Sequence, residues 1–193
     1  MVLETKNLII RQFEKTDDAD LLEAMECPLV HQMYSNGFTA IDKVQGYIQL
    51  LLQEYQSGKV RTLAVAEKSS NKLIGSITLD VLEFFARAEI SYWINKSYRN
   101  MGYATEVVKA ITAYCFDALS LNRVQALTSN PASERVLKKS GMIYEGTLRQ
   151  YFKFGDTSWD VKMYAILKED YSSAKDHNEE ADMRYGMEGI ISI

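Results

Sequence analysis

The sequence has very few of the residues that crosslink small proteins or bind metals. Its 193 residues include only two cysteines, Cys27 and Cys115, and only two histidines, His31 and His177. No C-x-x-C pair is present, so we expect neither a disulfide framework nor a zinc site. Because Cys115 falls on the apolar stripe of a predicted helix, we interpret it as a small core residue. No metal is expected.

Proline and long apolar runs are also scarce. Two prolines and ten glycines argue against a low-complexity chain, and a hydrophobic content of 47% is enough for one ordinary core. No apolar run approaches the roughly 20 residues of a membrane-spanning helix, and the first residues lack a signal-peptide hydrophobic region. We therefore expect a cytoplasmic protein with no membrane partner. We expect one domain over residues 1–170 and a C-terminal tail over 171–193, which starts polar and aperiodic.

An excess of positive charge is absent as well. Lysine and arginine total 22 against 26 acidic residues, which gives a formal net charge of −4. Nonspecific nucleic-acid binding needs a basic surface, so no nucleic-acid partner is expected. A mildly acidic chain is compatible with cationic substrates such as amines or basic proteins.

What the sequence does contain is a regular succession of strand and helix patterns. Strands are predicted over residues 8–13, 61–67, 73–82, 88–94, 123–128, 142–154 and 159–167. Helices are predicted over residues 17–25, 41–55, 102–119 and 130–141. Short connections between the strands of 61–94 predict an antiparallel meander, and the helix before strand 123–128 predicts one parallel crossover pair. The pattern indicates an α/β domain with a mixed, largely antiparallel sheet of about seven strands and flanking helices.

The loop that joins strand 88–94 to the next helix has the most informative pattern. It reads Arg99-x-x-Gly102-x-Ala104, and small residues let a ligand approach the backbone closely. The start of the following helix offers unpaired N–H groups and the positive end of its dipole, which together bind anions such as phosphate. An ordinary strand-to-helix turn with a glycine is the alternative that this stretch alone leaves open.

Several segments together carry a resemblance to one family. They are Thr5 to Arg11, Glu89 to Ile94, Tyr98 to Glu106, Asn130 to Ser133 followed by Gly141, and Trp159 to Val161. In order and spacing the chain resembles the GNAT N-acetyltransferases. Within them it looks like the branch that includes the ribosomal-protein alanine acetyltransferases, the RimJ/RimL-like proteins. The resemblance covers about residues 5–170 and implies the GNAT fold.

The resemblance implies acetyl-CoA as donor and a primary amine as acceptor, with a protein N-terminal amine as the leading acceptor. In the family, backbone N–H groups of the loop hold the CoA pyrophosphate. By position these belong to Arg99, Asn100, Met101, Gly102, Tyr103, Ala104 and Thr105. The Arg99 side chain can add charge to a phosphate contact.

The resemblance also implies roles on either side of this loop. The end of the preceding strand, Trp93 and Ile94, corresponds to the segment whose backbone pairs with the pantetheine arm. Asn130 corresponds to a pantetheine contact, and Ser133 to a residue near the thiol. The alternatives are that Trp93 is a core residue, that Asn130 only caps its helix, and that Ser133 is a polar residue of its first turn.

The residues for acid–base chemistry match the family only partly. Glu89 is the best candidate for the base, and its alternative is a solvated or structurally paired carboxylate. RimL-like proteins can use a Glu on the strand after the short helix, where this chain has Phe152, and Glu145 sits in a different register. Many GNATs use a Tyr acid at the position of Leu137. Ser133 or a water is the remaining candidate for the acid.

The acceptor side is the least defined by sequence. Residues 28–47 and the final hairpin would build it, and they contain His31, Tyr34, Arg149, Tyr151 and Trp159, for most of which packing is the alternative role. Asp160 either orients a cation or pairs with a strand neighbour. A small-molecule acceptor (a polyamine, amino acid or aminoglycoside) and a non-catalytic acyl-CoA-binding module are the alternative functions. A homodimer is left open.

Overall fold

A single open sheet with helices on both faces forms the fold. The computed structural model describes residues 2–27, 41–57 and 61–173. The strands are β1 (Leu3–Glu4), β2 (Leu8–Arg11), β3 (Arg61–Glu67), β4 (Leu73–Leu82), β5 (Arg87–Ile94), β6 (Arg123–Thr128), β7 (Ile143–Phe154) and β8 (Thr157–Leu167). The helices with defined ends are α1 (Asp18–Ala24), α2 (Ile41–Ser57), α3 (Tyr103–Asp117) and α4 (Pro131–Lys139).

The order of strands across the sheet is β1-β2-β3-β4-β5-β6-β8-β7. Every neighbouring pair is antiparallel except β5 and β6, which run parallel because α3 carries the chain back between them. The predicted meander, crossover pair and α/β class are therefore confirmed. The eighth strand is β1, whose two residues are too few for a sequence pattern to show.

The sheet has a separate apolar core on each face. On one face α3 and α4 pack over Ile90 and Ile94 of β5. On the other face α1 and α2 pack over Trp93, together with Phe13 and Leu21. Because side chains alternate along a strand, Glu89 shares the α1/α2 face with Trp93, and Tyr92 shares the α3/α4 face with Ile90.

The described chain ends in a helical segment, 168–173, that follows β8. Its Tyr171 ring lies 5.1 Å from the Phe116 ring, centroid to centroid, and its hydroxyl donates to Asp117 at 2.9 Å. Among the described residues, none of the helices has the length and apolar character to span a membrane.

Some sequence predictions concern residues outside the described ranges. They are the part of the predicted acceptor side that covers residues 28–40, with His31 and Tyr34, and the tail from residue 174 onward.

Candidate active site

The parallel strands β5 and β6 separate part-way along their length. They pair at only three steps, from Arg87 opposite Arg123 to Glu89 opposite Gln125. Beyond that step β5 continues to Ile94 and remains paired with β4, while β6 continues to Thr128 and remains paired with β8. A wedge-shaped opening, which we call the splay, therefore begins at Glu89 in the middle of the sheet.

Glu89 lies at the point of the splay and is held by a side chain from β6. Its Oε2 accepts a hydrogen bond from the Gln125 amide at 2.8 Å. The Gln125 Oε1 accepts from Arg123 Nε at 2.9 Å, and from Arg87 at 3.4 Å. Because the arginines can only donate, they fix the Gln125 amide with its NH₂ group toward Glu89.

Arg123 extends this chain of hydrogen bonds to β7. Its guanidinium forms a bidentate pair with the Glu145 carboxylate, with one N–O distance of 2.8 Å. The hydrogen-bonded pair raises the pKa of Arg123 and lowers the pKa of Glu145. Glu145 thus lies in the side-chain network behind Glu89, a connection that its place in the sequence did not reveal.

On the opposite face, a hydroxyl pair joins the two sides of the splay. The Tyr92 hydroxyl on β5 lies 2.9 Å from the Ser133 hydroxyl on α4. Ser133 occupies the first turn of α4, directly after β6 ends. No local sequence pattern indicates this contact, because Tyr92 and Ser133 are separated by 41 positions.

The start of α4 is fixed by Asn130. Its side chain accepts from the Ala132 N–H at 2.9 Å, and its own N–H donates to the Thr128 hydroxyl at 3.0 Å. Asn130 is therefore the N-cap that the sequence predicted, followed by Pro131 in the first turn. Asn130 is exposed at the open side of the splay, so capping leaves its NH₂ group available to a ligand.

The loop after β5 brings backbone N–H groups to the open end of the splay. Asn95 accepts from the Ser97 N–H and starts a 3₁₀ turn over Lys96–Tyr98. Asn100 and Gly102 then take left-handed conformations, with φ of 64° and 86°. Gly102 is the N-cap of α3 and has no side chain to satisfy the first N–H groups of that helix.

The Arg99 side chain folds back onto the end of β5. Its Nε donates to the Ile94 carbonyl at 3.0 Å, and its Nη2 lies 3.4 Å from Cys27 Sγ. These contacts hold the guanidinium beside the end of β5, and the phosphate contact of this side chain stays a prediction. The conformation of the loop backbone is set by the left-handed residues Asn100 and Gly102 and by the start of α3.

A carboxylate in the first turn of α3 accepts hydrogen bonds from the N-terminal segment. Glu106 accepts from the Thr5 hydroxyl at 2.5 Å, from the Asn7 N–H at 2.8 Å and from the Asn7 amide at 2.9 Å. Burial alone would raise the pKa of Glu106, but these hydrogen bonds outweigh it and lower the pKa. They dock the domain's first residues onto α3 beside the loop.

The comparisons with known proteins agree with this geometry. A family model described as "Acetyltransferase (GNAT) domain" matches residues 7–143. The chain belongs to the GNAT acetyltransferase family. Its enzyme class, an acetyl-CoA-dependent N-acetyltransferase, and its resemblance to RimJ/RimL-like proteins are thereby confirmed.

Two curated relatives and one solved structure show how far the similarity extends. An uncharacterised N-acetyltransferase of Bacillus subtilis (strain 168), YoaA, is 33% identical over 86% of this chain and 97% of its own length. The ribosomal-protein-serine acetyltransferase of Escherichia coli (strain K12) is 29% identical over 64% of this chain and 68% of its own. A GNAT-family acetyltransferase structure from Bacillus anthracis matches with a TM-score of 0.77 at 28% identity, over 88% of this chain and 99% of that one.

The local geometry is compatible with acetyl-CoA in the splay. Beyond Glu89 the edge of β5 that faces β6 has no strand partner among the described residues, so its backbone can pair with an extended amide chain. A Cβ built at Gly102 would meet no atom within 4 Å, so the backbone there is open to close approach. Among the described residues, no cluster of side chains with metal-binding character is found.

The remaining predicted residues take varied places. Trp93 is buried in the α1/α2 core, so only its backbone faces the splay. Leu137 is fully buried, while Tyr151, Phe152 and Trp159 lie exposed on the β7–β8 hairpin. Asp160 accepts from the Gln150 N–H at 2.7 Å across a bulge in that hairpin, which is the strand-neighbour pairing that the sequence left open.

Proposed function

We propose that this enzyme transfers the acetyl group of acetyl-CoA to a protein N-terminal amine at the splay. The observation that carries the proposal is that β5 and β6 part at Glu89, with the start of α3 at the open end of the same wedge. This geometry supports the proposal, because a carboxylate and a helix N-terminus lie at the two ends of one strand segment. The name of the Escherichia coli relative supports a ribosomal-protein acceptor.

In this proposal the donor binds from the α3/α4 face. The backbone N–H groups of the loop Arg99, Asn100, Met101, Gly102, Tyr103, Ala104 and Thr105 hold the pyrophosphate. The β5 backbone at Trp93 and Ile94 and the Asn130 amide hold the pantetheine arm. Acetyl-CoA supplies the activated acyl group, and the protein supplies position and electrostatics.

The acceptor amine reaches the thioester from the opposite face, where Glu89 projects. Gln125 donates only to Oε2 of Glu89. No other described residue forms a hydrogen bond with Oε1. Oε1 takes a proton from the amine, directly or through one water, as nitrogen attacks the carbonyl carbon. The C–N bond forms, the C–S bond breaks, and the thiolate leaves with the electron pair.

The leaving sulfur is stabilised from the α4 side. Ser133 stands in the first turn of α4 and is tied to β5 by the Tyr92 hydroxyl at 2.9 Å. Its hydroxyl donates a hydrogen bond to the sulfur as negative charge develops there. Base and hydrogen-bond donor thus flank the splay from opposite faces of the sheet.

A panel of acceptors tests the proposed function. Purified protein and acetyl-CoA are mixed with peptides that start with free alanine or serine, with the same peptides blocked at the N-terminus, and with spermidine, and thiol release is followed. Release with the free peptides only is the expected result. Turnover on spermidine but not on peptides would replace the protein acceptor with a small amine. Tight CoA binding without turnover on any acceptor would support a binding module instead.

A further inference from the structure

We propose that Tyr92 is a positioning residue that orients the Ser133 hydroxyl, so that the Ser133 hydrogen points at the sulfur of bound CoA. The proposal rests on the proposed function, because it takes Ser133 to lie beside the thiol. The sequence analysis assigned the contact with the thiol to Ser133 of α4 alone. The proposal gives Tyr92 of β5 a part in it.

The contact lies where no backbone pairing holds the two sides together. The ladder between β5 and β6 ends at Glu89, three residues before Tyr92. Ser133 follows the end of β6 by five residues. The 2.9 Å hydroxyl pair is therefore a side-chain link across the splay at the depth where the backbone link is missing.

The acidity of the two hydroxyls indicates which one donates the hydrogen bond. A phenol is a stronger acid than an aliphatic alcohol, so the Tyr92 O–H is the better donor of the two. Burial raises the pKa of Tyr92, and the hydrogen bond with Ser133 offsets only part of that effect. Tyr92 therefore keeps its proton at neutral pH, and we assign it as the donor to Ser133 Oγ. The Ser133 hydrogen is then left to point to another acceptor.

The side chain at position 137 supplies no hydroxyl to this site. Many GNATs use a tyrosine there, but Leu137 is fully buried in the α3/α4 core and offers no hydroxyl. The Tyr92 hydroxyl approaches the same face from β5 instead, where its ring packs against that core. Glu134, the residue after Ser133 in α4, accepts from Lys162 Nζ at 2.8 Å and from the Tyr164 hydroxyl at 3.0 Å, and none of the variants described next replaces these residues.

The test uses CoA alone, without any acceptor. The ultraviolet absorbance of the thiolate is titrated against pH for CoA bound to the wild-type protein, Tyr92→Phe, Ser133→Ala and the double variant. We expect Ser133→Ala to raise the pKa of the bound thiol, Tyr92→Phe to give at least half of that shift, and the double variant to match Ser133→Ala. Tyr144→Phe is the matched control, because its hydroxyl pairs with Thr147 at 2.8 Å on β7.

Turnover gives a second readout. With acetyl-CoA and the best acceptor, Tyr92→Phe should lower kcat roughly fivefold, which one neutral hydrogen bond of ordinary strength accounts for, and leave KM for acetyl-CoA unchanged. An unaltered thiol pKa in Tyr92→Phe, or additive effects in the double variant, would overturn the proposal while leaving acetyl transfer intact. Failure of the wild-type protein to acetylate any peptide would instead contradict the proposed acceptor and not this inference.

Discussion

The Gln125 amide donates to the Glu89 carboxylate at 2.8 Å at the last step where β5 and β6 are paired. The strand pairing therefore fixes the carboxylate at the point where the sheet opens. Behind Gln125, Arg123 and Glu145 complete a chain of hydrogen bonds that reaches β7. This arrangement holds one carboxylate oxygen and leaves the other without a partner among the described residues, as the proposed role of general base requires.

Replacing Glu89 tests its role as base. Glu89→Gln keeps the shape of the side chain but cannot accept a proton, so kcat should fall about 100-fold, with CoA affinity unchanged by calorimetry. The acidic limb of the pH–rate profile should also disappear. Asp80→Asn is the control, because Asp80 lies directly opposite Glu89 on β4 and shares its face. Equal losses in both variants, or an unaltered profile in Glu89→Gln, would remove Glu89 from the mechanism.

Gln125 should matter through Glu89. Gln125→Met retains the length of the buried side chain but removes the donor to Glu89, so we expect kcat to fall about tenfold through lost positioning. In a double-mutant cycle with Glu89→Gln, the two effects should be strongly non-additive. Steady-state kinetics of the four proteins provides the measurement. Full additivity would show that Gln125 contributes to stability alone.

Gly102 is expected to be required for cofactor binding. Gly102→Ala places a side chain at φ 86°, which costs about 1–2 kcal/mol of strain, and it adds a methyl group where the pyrophosphate would approach. The dissociation constant for CoA should rise at least about tenfold. Gly155→Ala is a close control, because Gly155 also has a positive φ of 58° and open space around its Cβ, in the β7–β8 turn. Equal affinities of the two variants would contradict a backbone cradle at Gly102.

Glu106 should stabilise the fold in a pH-dependent manner. Its pKa is lowered in the folded protein, so its contribution is present above the ordinary carboxyl pKa and is lost as the pH falls through the folded value. At neutral pH, Glu106→Gln should lower the free energy of unfolding by about 1–2 kcal/mol, and the difference should shrink in acid. Denaturant titrations at several pH values measure this, with the exposed Glu54→Gln as control. A constant difference across pH would show that the carboxylate charge is not involved.

Much of the fold was predictable from local patterns. Strand and helix positions follow from apolar periodicity, and the start of α4 follows from Asn130 and Pro131, because capping depends on neighbouring residues. The predicted strand 88–94 differs from β5 by one residue. The eighth strand, β1, is visible only through its pairing with β2.

The site was less predictable, because its contacts join distant parts of the chain. The splay depends on how many residues of β5 and β6 pair, and no local pattern records that number. The contacts of Glu89 with Gln125 and of Tyr92 with Ser133 follow from that register. The hydrogen bond from the Arg99 side chain to the Ile94 carbonyl is likewise not visible in the loop motif. Such choices are made by tertiary packing, which motif spacing does not encode.

The proposed acceptor is a protein N-terminal amine. The most direct measurement is mass spectrometry of one peptide that carries both a free N-terminus and an internal lysine, after incubation with acetyl-CoA and the enzyme. We expect a single acetyl group on the N-terminal nitrogen, formed by the wild-type protein and strongly reduced in Glu89→Gln. Acetylation of the lysine side chain alone, or an unmodified peptide beside acetylated spermidine, would contradict it.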